Sequence, residues 1–533
     1  MEQYDGQRPD FGGRSTVLGT KGAVACEHPR AALAGIRVLD AGGNAADACV
    51  AMAATMAVVA PMTTGMGGDA FLLFHESETG RVIGANGSGR APRSATVEKL
   101  KSRGVEHMPE RGALTVTVPG AVRLWGDAAS SLGRLSLSKL LEPAREAAEE
   151  GNPVSEVVAR YWKEDEELLG RDEAAVKTFL PRGRAPESGE MFHQPDLART
   201  IRAVMEGGAD AFYEGEVAAN IARSVQRAGG YLAEEDLASH ETTWVEPIST
   251  DYRGVKVHEI PPPGQGIAAL EMLNILEGYE LRELHPLSAE RIHLEAEAKK
   301  LAYADLHGLI GDPEFSEVPT EELLSKKYAA RLRERISLGK AATQAEPVSG
   351  TDTTYLCAVD AEGNGCSFIN SLFMKFGSGV VAEGTGVCLQ NRGYSFHLDE
   401  GHPNALAPAK RPLHTIIPGL ATKDDNLWAT FGVMGGHMQP QGHVQLLANL
   451  IDYDMSPQQA VDHPRHFHDR GTLLLEDRGS EEAAEKLRRL GHDVRIGAPY
   501  EIPTGGAQLI RVYEDGVRAC GSDPRKDGCA LAQ

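Results

Sequence analysis

A change of hydrophobic period near residue 350 restricts the fold of this chain more than any other feature. Segments 134–237 and 286–338 are mostly helical in period, as in "AERIHLEAEAKKLAYADLHG" at 289–308. Residues 339–352, "GKAATQAEPVSGTD", are small and polar, hold Pro and Gly and have no period, which marks a linker. Strands then crowd together. "TTYLCAVDAEGNGCSFINS" (353–371) reads as a β-hairpin turning at Asp-Ala-Glu-Gly-Asn, with further strands in "GVVAEGTGVCLQN" (379–391) and "TIIPGLATKDDNLWATFGVMGG" (415–436) and a last pair near 506–520. Helices return in between, at "QPQGHVQLLANLIDYDMSPQQAVDHP" and "SEEAAEKLRRLGHD". Such a chain must layer helices on sheets, and it contains no internal repeat.

The N-terminal third follows the same logic. "EHPRAALAGIRVLDAGGNAADACVAMAATMAVVAP" (27–61) predicts two helices: one up to Leu39, a Gly42-Gly43 stop, then a small-residue helix capped by Asn44 and ending before Pro61. So many alanines imply close helix packing. "AFLLFHESETGRVIGANGSG" (70–89) predicts two strands about a Ser-Glu-Thr-Gly turn, and "ALTVTVPGAVRLWGDAASSLG" (113–133) a strand entering a helix after Pro119-Gly120.

The 533 residues carry a formal net charge of −22, which disfavours nucleic-acid and anionic-membrane partners, since binding a polyanion needs clustered Lys and Arg. A small-molecule substrate is expected instead. The N-terminus lacks the apolar run of a secretory signal, and the longest apolar stretch (48–62) is too short and Ala-rich to span a bilayer, so a cytoplasmic location is expected. Seven cysteines without a C-x-x-C pair argue against a disulfide framework or a thiolate zinc site. Cys357 and Cys366 flank the hairpin turn, where reduced strand cysteines are the default reading.

Four local patterns carry candidate chemistry. Gly65-Met66-Gly67-Gly68-Asp69-Ala70 matches a dinucleotide-binding pattern in letters only, because it follows a helix and opens a strand; a tight turn with close backbone approach is expected. His463, His466, His468 and Asp469 in "DHPRHFHDR" lack metal-ligand spacing, and Pro464 breaks any helix that would align the rings, so surface or hydrogen-bonding histidines are expected and no metal. Gly435-Gly436 lies between a strand and a helix, where two glycines can aim adjacent N–H groups into one cavity as an oxyanion hole requires; alone, the pair is equally a plain turn. Thr353 opens a strand directly after the linker. A threonine hydroxyl becomes a useful nucleophile when a base is within reach, and its own α-amine serves once the Asp352–Thr353 peptide is cut. The same hydroxyl can make that cut by attacking the Asp352 carbonyl, shifting the acyl group from N to O and letting water hydrolyse the ester. Threonine is also an ordinary strand former.

The ordered markers "DAGGNAADACVA", "GMGGDAF", "VPG" (118–120), "FYEGEVAANIA" (212–222), "PPPGQG" (261–266), "YADLHGLIGDP" (303–313), "TDTTY", "GSGVVAEGTGVCLQN" (377–391), "KRPL" (410–413), "GGHMQPQ" and "GSDPRKDG" (521–528) resemble the γ-glutamyltransferase family, also called γ-glutamyltranspeptidase or glutathione hydrolase, over roughly residues 16–530. The resemblance implies an α+β chain with the N-terminal-nucleophile hydrolase αββα sandwich, two stacked antiparallel sheets between helical layers. It implies an inactive precursor cut between Asp352 and Thr353 into a large subunit, 1–352, and a small catalytic subunit, 353–533, which stay associated as one αββα domain. The activity implied is cleavage of γ-glutamyl, glutathione-like amides through an acyl-enzyme on Thr353, with transfer to water or to an amine and with no metal or organic cofactor. The family also leaves room for a homodimer of the processed heterodimer.

Carried over by position, Ser371 is the hydroxyl that orients the nucleophile, and Gly435 and Gly436 are the oxyanion-hole pair. Thr415 matches the second of two serines that hold the substrate carboxylate, while His414 replaces the first. The departures point elsewhere. The usual carboxylate-binding arginine falls on Ser88, with Arg90 two residues later. The Asn, Gln and Asp that grip the substrate carboxylate and α-ammonium fall on Phe373, Arg392 and Ser395. Without the acidic partner an α-ammonium is under-compensated, at about 1–3 kcal/mol, whereas Arg90 and Arg392 can clamp a carboxylate. Segment 396–410 is shorter than in members with a lid loop, which predicts a more open site. These changes resemble a branch shading into glutaryl-cephalosporin-type acylases, whose acyl group lacks the amine. The alternative reading is therefore a glutaryl-type amidase, and a remoter one is a non-catalytic scaffold.

Overall fold

The computed structural model describes residues 13–343 and 352–533. Two seven-stranded antiparallel sheets lie face to face between helical layers. The first runs, in spatial order, Cys529–Ala532, Ala23–Cys26, Asp352–Val359, Gly365–Phe373, Asp69–Glu76, Arg81–Gly87 and Thr243–Val245. The second runs Val17–Gly19, Arg518–Ser522, Gly506–Val512, Asn426–Met434, Gly419–Lys423, Val255–Glu259 and Ile248–Tyr252. Both sheets interleave strands from either side of residue 352.

The apolar residues separate into three layers. Between the sheets lie Ala25, Phe71, Leu73, Tyr355, Ile369, Leu420 and Ile510. Helices Pro29–Asp40, Ala45–Val59 and Leu137–Glu150 cover the first sheet. Helices Gly266–Leu276, Ala289–Leu309 and Met438–Ile451 cover the second. This is the αββα sandwich.

The predicted helix pair forms as read. Asn44 caps Ala45–Val59 by accepting from the Ala46 and Asp47 N–H groups, while Asp47 accepts from the Asn44 N–H. Every residue of that helix is buried, and close packing explains the alanines: a Cβ on Gly35 of the preceding helix would lie 2.8 Å from Met52. Among the described residues no helix is long and apolar enough to cross a membrane.

The hairpin at the period change also forms, with Asp352–Val359 paired to Gly365–Phe373. Cys357 stands opposite Ser367 and Cys366 opposite Ala358, so the two cysteines point to opposite faces and the default reading of reduced thiols holds. The linker reading falls largely on residues 344–351, outside the described residues.

One expectation needs correcting. The strand predicted in "ALTVTVPG" is a 3-10 turn at Ala113–Thr115 followed by extended backbone outside the sheets. Its polar groups go to loops: the Val118 N–H donates to the Arg90 carbonyl and the Gly120 N–H to the Gly68 carbonyl. The apolar alternation is answered by burial of Val116 and Val118 in the core layer outside the first sheet rather than by a strand partner.

Candidate active site

Thr353 sits at an irregularity in its own hairpin. Asp352 pairs with Phe373 and Thr354 with Asn370, so the register slips across Thr353. Such a slip re-aims a side chain out of the regular alternation. The Thr353 and Ser371 hydroxyl oxygens are thereby 3.1 Å apart, both fully buried. Ser371 Oγ also accepts from the Phe373 N–H at 2.8 Å.

A second element arrives from the other sheet. Gly435 and Gly436 end strand Asn426–Met434 with φ of +124° and +59°, a succession that L side chains rarely adopt. The helix Met438–Ile451 begins just after, and Gln439 in its first turn donates from Nε2 to Thr353 Oγ1 at 3.4 Å while its Oε1 accepts from the Ile417 N–H. Gln439 therefore ties the start of the helix after the glycine turn to Thr353. Gln265, from the "PPPGQG" loop, donates to the carbonyls of Gly436 (2.8 Å) and Thr415 (2.5 Å), and its Oε1 faces His437 Nδ1 at 3.0 Å. With the Gly436 carbonyl held this way, the neighbouring N–H groups have a defined direction, the prerequisite for an oxyanion hole.

Beside these groups opens a cleft of about 790 Å³ whose lining includes Phe373, Tyr394, Ser395, Leu413, Thr415 and His437. Behind Phe373 and Thr415 lies Arg392, with no exposed surface. Its guanidinium donates from Nη1 to Thr415 Oγ1 at 2.8 Å and stacks 4.2 Å from the Phe373 ring centroid. Its Nε and Nη2 have no hydrogen-bond partner, and the nearest counter-charge, Asp69 Oδ2, is 3.9 Å away. Burial pulls the Arg392 pKa down to about 10 against the opposing pull of Asp69, which leaves a charged group at neutral pH.

Asp69 organises this floor. Its carboxylate accepts from the Gly89 N–H, from Gln390 Nε2 and, at 2.8 Å, from His414 Nε2. Burial lowers the His414 pKa in spite of that hydrogen bond, and the other ring nitrogen, Nδ1, faces the Pro412 carbonyl at 2.7 Å. Asp69 belongs to the glycine run at 65–70, which makes the close approaches expected of it: a Cβ on Gly67 would lie 2.0 Å from the Cys388 carbonyl oxygen, and one on Gly68 2.3 Å from that of Ser371.

Of the residues singled out from the sequence, the structure brings together Thr353, Ser371, Gly435, Gly436, Arg392, His414 and Thr415. Arg90 does not join them through its side chain. Its guanidinium forms a two-pronged pair with Glu314 and donates to the Ala409 carbonyl, in a separate recess. Ser88 is buried on Asn86, and Arg411 donates to its carbonyl. Ser395 lines the cleft, so no carboxylate stands at that position; the acidic residues that line the same cleft are Glu106 and Asp399.

Of the histidines of "DHPRHFHDR", His466 and His468 are buried and His463 is half-buried, and they are engaged in polar contacts, the hydrogen-bonding half of the expectation; His463 Nδ1 faces the Pro464 carbonyl at 3.0 Å. His466 Nε2 lies 3.1 Å from Glu295, and His468 Nδ1 lies 3.4 Å from Lys299. A different trio, His293, Glu297 and His492, has its atoms within metal-ligand spacing, but its donors are engaged: His293 contacts His492 and the Ser337 carbonyl, and Glu297 accepts from Lys300 and the Ala342 N–H.

Reasoning from sequence missed Asp69, Gln265 and Gln439 as parts of the site. Each sits inside a recognised marker, "GMGGDAF", "PPPGQG" or "GGHMQPQ", so a polar residue within a glycine-rich marker was the available signal.

The model of the family described as Gamma-glutamyltranspeptidase matches residues 31–533. The chain is 41% identical over 523 residues to the Glutathione hydrolase-like YwrD proenzyme of Bacillus subtilis (strain 168), covering 97% of this chain and 99% of that one. It is 33% identical to the Oxamate amidohydrolase proenzyme of Klebsiella pneumoniae, covering 97% and 99%. Among solved structures, a cephalosporin acylase from Bacillus halodurans superposes with a TM-score of 0.93 at 43% identity, covering 100% of this chain and 99% of that one.

Proposed function

The chain belongs to the γ-glutamyltranspeptidase family, and from that premise we propose that it is a self-processing threonine amidohydrolase and acyltransferase whose acyl group ends in a carboxylate and lacks an α-ammonium. Thr353 first attacks the Asp352 carbonyl, and water resolves the ester, freeing the α-amine. That amine then takes the hydroxyl proton as Thr353 Oγ1 attacks a substrate amide. The developing oxyanion is met by the turn at Gly435-Gly436. The proton passes to the departing amine, and water, or an acceptor amine, releases the acyl group. Ser371 holds the nucleophile's hydroxyl throughout.

The observation that carries the acyl preference is Arg392: a buried guanidinium with two unmatched nitrogens beside Thr415, and Ser395 where an ammonium would need a carboxylate. A buried charge without a partner is costly until a ligand supplies one. The similarity to an oxamate amidohydrolase, whose named substrate has an acyl part that ends in a carboxylate and lacks an ammonium, supports acyl groups of this kind. A second reading, hydrolysis of γ-glutamyl amides such as glutathione, is favoured by the name of the Bacillus subtilis relative.

The deciding experiment compares glutaryl and γ-glutamyl anilides with processed protein. A kcat/KM at least ten times higher for the glutaryl compound is expected, and a preference for γ-glutamyl overturns the reading in favour of the second.

A further inference from the structure

Arg392 is placed to receive a carboxylate, yet in the uncleaved chain it is shut away from the cleft that the carboxylate would enter. The cover is Phe373, which lines the cleft on one side and presents its ring 4.2 Å from the guanidinium on the other. Phe373 is itself only 3% exposed.

Phe373 is held there under strain. Its φ is +78°, in the left-handed region that a bulky aromatic residue seldom adopts. Two backbone contacts pin it: its N–H donates to Ser371 Oγ, and its pairing partner in the hairpin is Asp352. Asp352 is the residue whose carbonyl is lost from the strand when the Asp352–Thr353 bond is cut. The cleavage therefore removes covalent support from one of the backbone contacts that hold Phe373, whose ring also lies 6.3 Å from that of Tyr394.

We propose that Phe373 controls entry of the acyl carboxylate to Arg392, and that the intact Asp352–Thr353 peptide keeps it closed. The inference rests on the carboxylate reading above and adds to it a device by which the precursor is unable to bind substrate. The Asp352–Phe373 pair already ends the ladder in the intact chain, and once Asp352 is also a chain end, severed from Thr353, that pair frays. The ring then trades its face-on contact for solvent in the cleft, the strained φ relaxes, and the Nε and Nη2 of Arg392 meet a carboxylate. A charge-assisted, two-pronged contact is stronger than a cation stacked on a phenyl ring, so ligand binding favours the open position. No bond other than Asp352–Thr353 changes.

The test follows Arg392 itself. Phenylglyoxal modification, mapped by peptide mass, is compared in processed wild type and in uncleaved Thr353→Ala, with and without glutarate. Arg392 is expected to react at least ten times faster in the processed protein, and glutarate is expected to protect it there. In the Thr353→Ala background, Phe373→Ala is expected to raise the reactivity of Arg392 to the processed level. Equal reactivity in cleaved and uncleaved chains overturns the proposal, as does an unchanged rate in folded Phe373→Ala. The cleaved-against-uncleaved comparison needs no change at Phe373, so it decides the matter even where that variant fails to fold. If Arg392 opens on cleavage but glutarate does not protect it, the gate stands and the carboxylate reading of the acyl group falls.

Discussion

The hydroxyls of Thr353 and Ser371 lie 3.1 Å apart across a hairpin whose register slips between them and their neighbours. Residues eighteen apart in sequence are thus a hydrogen-bonded pair only because the two strands fold back with that slip. Purified protein is expected to separate on a denaturing gel into chains 1–352 and 353–533, the smaller starting at Thr353 by intact mass. Thr353→Ala is expected to stay whole and inactive. Ser371→Ala is expected to slow processing and turnover about 10–100-fold, the loss of one hydrogen bond to a reacting group. A wild-type chain that stays intact over days in neutral buffer overturns the assignment.

Gln265 fixes the Gly436 carbonyl and the Thr415 carbonyl together. Gln265→Leu keeps much of the volume and removes both donors. Because an oxyanion donor is worth about 10²–10³ in kcat, kcat is expected to fall by roughly that factor with a smaller change in KM. A variant that changes KM alone assigns Gln265 to binding instead.

Arg392 gives opposite expectations for binding and stability. With two nitrogens unmatched and Asp69 at 3.9 Å, its burial is poorly compensated. Arg392→Met is expected to raise KM for a glutaryl anilide at least tenfold while leaving the melting temperature unchanged or higher. A clear drop in melting temperature, with KM unmoved, makes Arg392 a structural residue.

Asp523, in "GSDPRKDG", is fully buried and accepts from Arg465, from Arg525 and from the Ala507 N–H. Burial alone raises its pKa, but Arg465 and Arg525 overcome that and hold it at about 2. A carboxyl depressed in the folded state stabilises the protein above its unfolded pKa, near 3.9, and loses that contribution as pH falls to about 2. Asp523→Asn is expected to lower stability at pH 7 by on the order of 3 kcal/mol, since it leaves two buried arginines short of a partner. The gap to wild type in urea melts should narrow between about pH 4 and 2. A constant gap across that range rules out ionisation as the source. The same network reaches Gly505, whose Cα lies 3.2 Å from where a Gly435 Cβ would stand, so it also buttresses the glycine turn.

Much of the fold was legible where period and capping coincide. The hairpin Asp352–Phe373 joins two β-prone, largely apolar runs about a Gly-Asn turn, and the helix Ala45–Val59 has its Asn44 cap and its stop. Strands Ala23–Cys26 and Cys529–Ala532 were not legible, being four residues long and lacking a clean polar–apolar alternation. "ALTVTVPG" alternates without becoming a strand because its partners are loops. At the site, Thr353, Ser371 and the glycine pair came from local chemistry and family markers. Arg90 and Arg392 were indistinguishable as arginines, and only their surroundings, Glu314 for one and an unmatched buried floor for the other, separate them.

The sequence by itself pointed to the layered class of fold and, through its family markers, to Thr353 as the proposed nucleophile and to the bond expected to be cut, because these depend on residue type, period and the order of motifs along the chain. Only the tertiary structure decided what surrounds Thr353. Asp69, Gln265, Phe373, Arg392 and Gln439 lie on separate segments of the chain, and their hydrogen bonds, burial and unmatched charge exist only once two sheets and their helices close on one another.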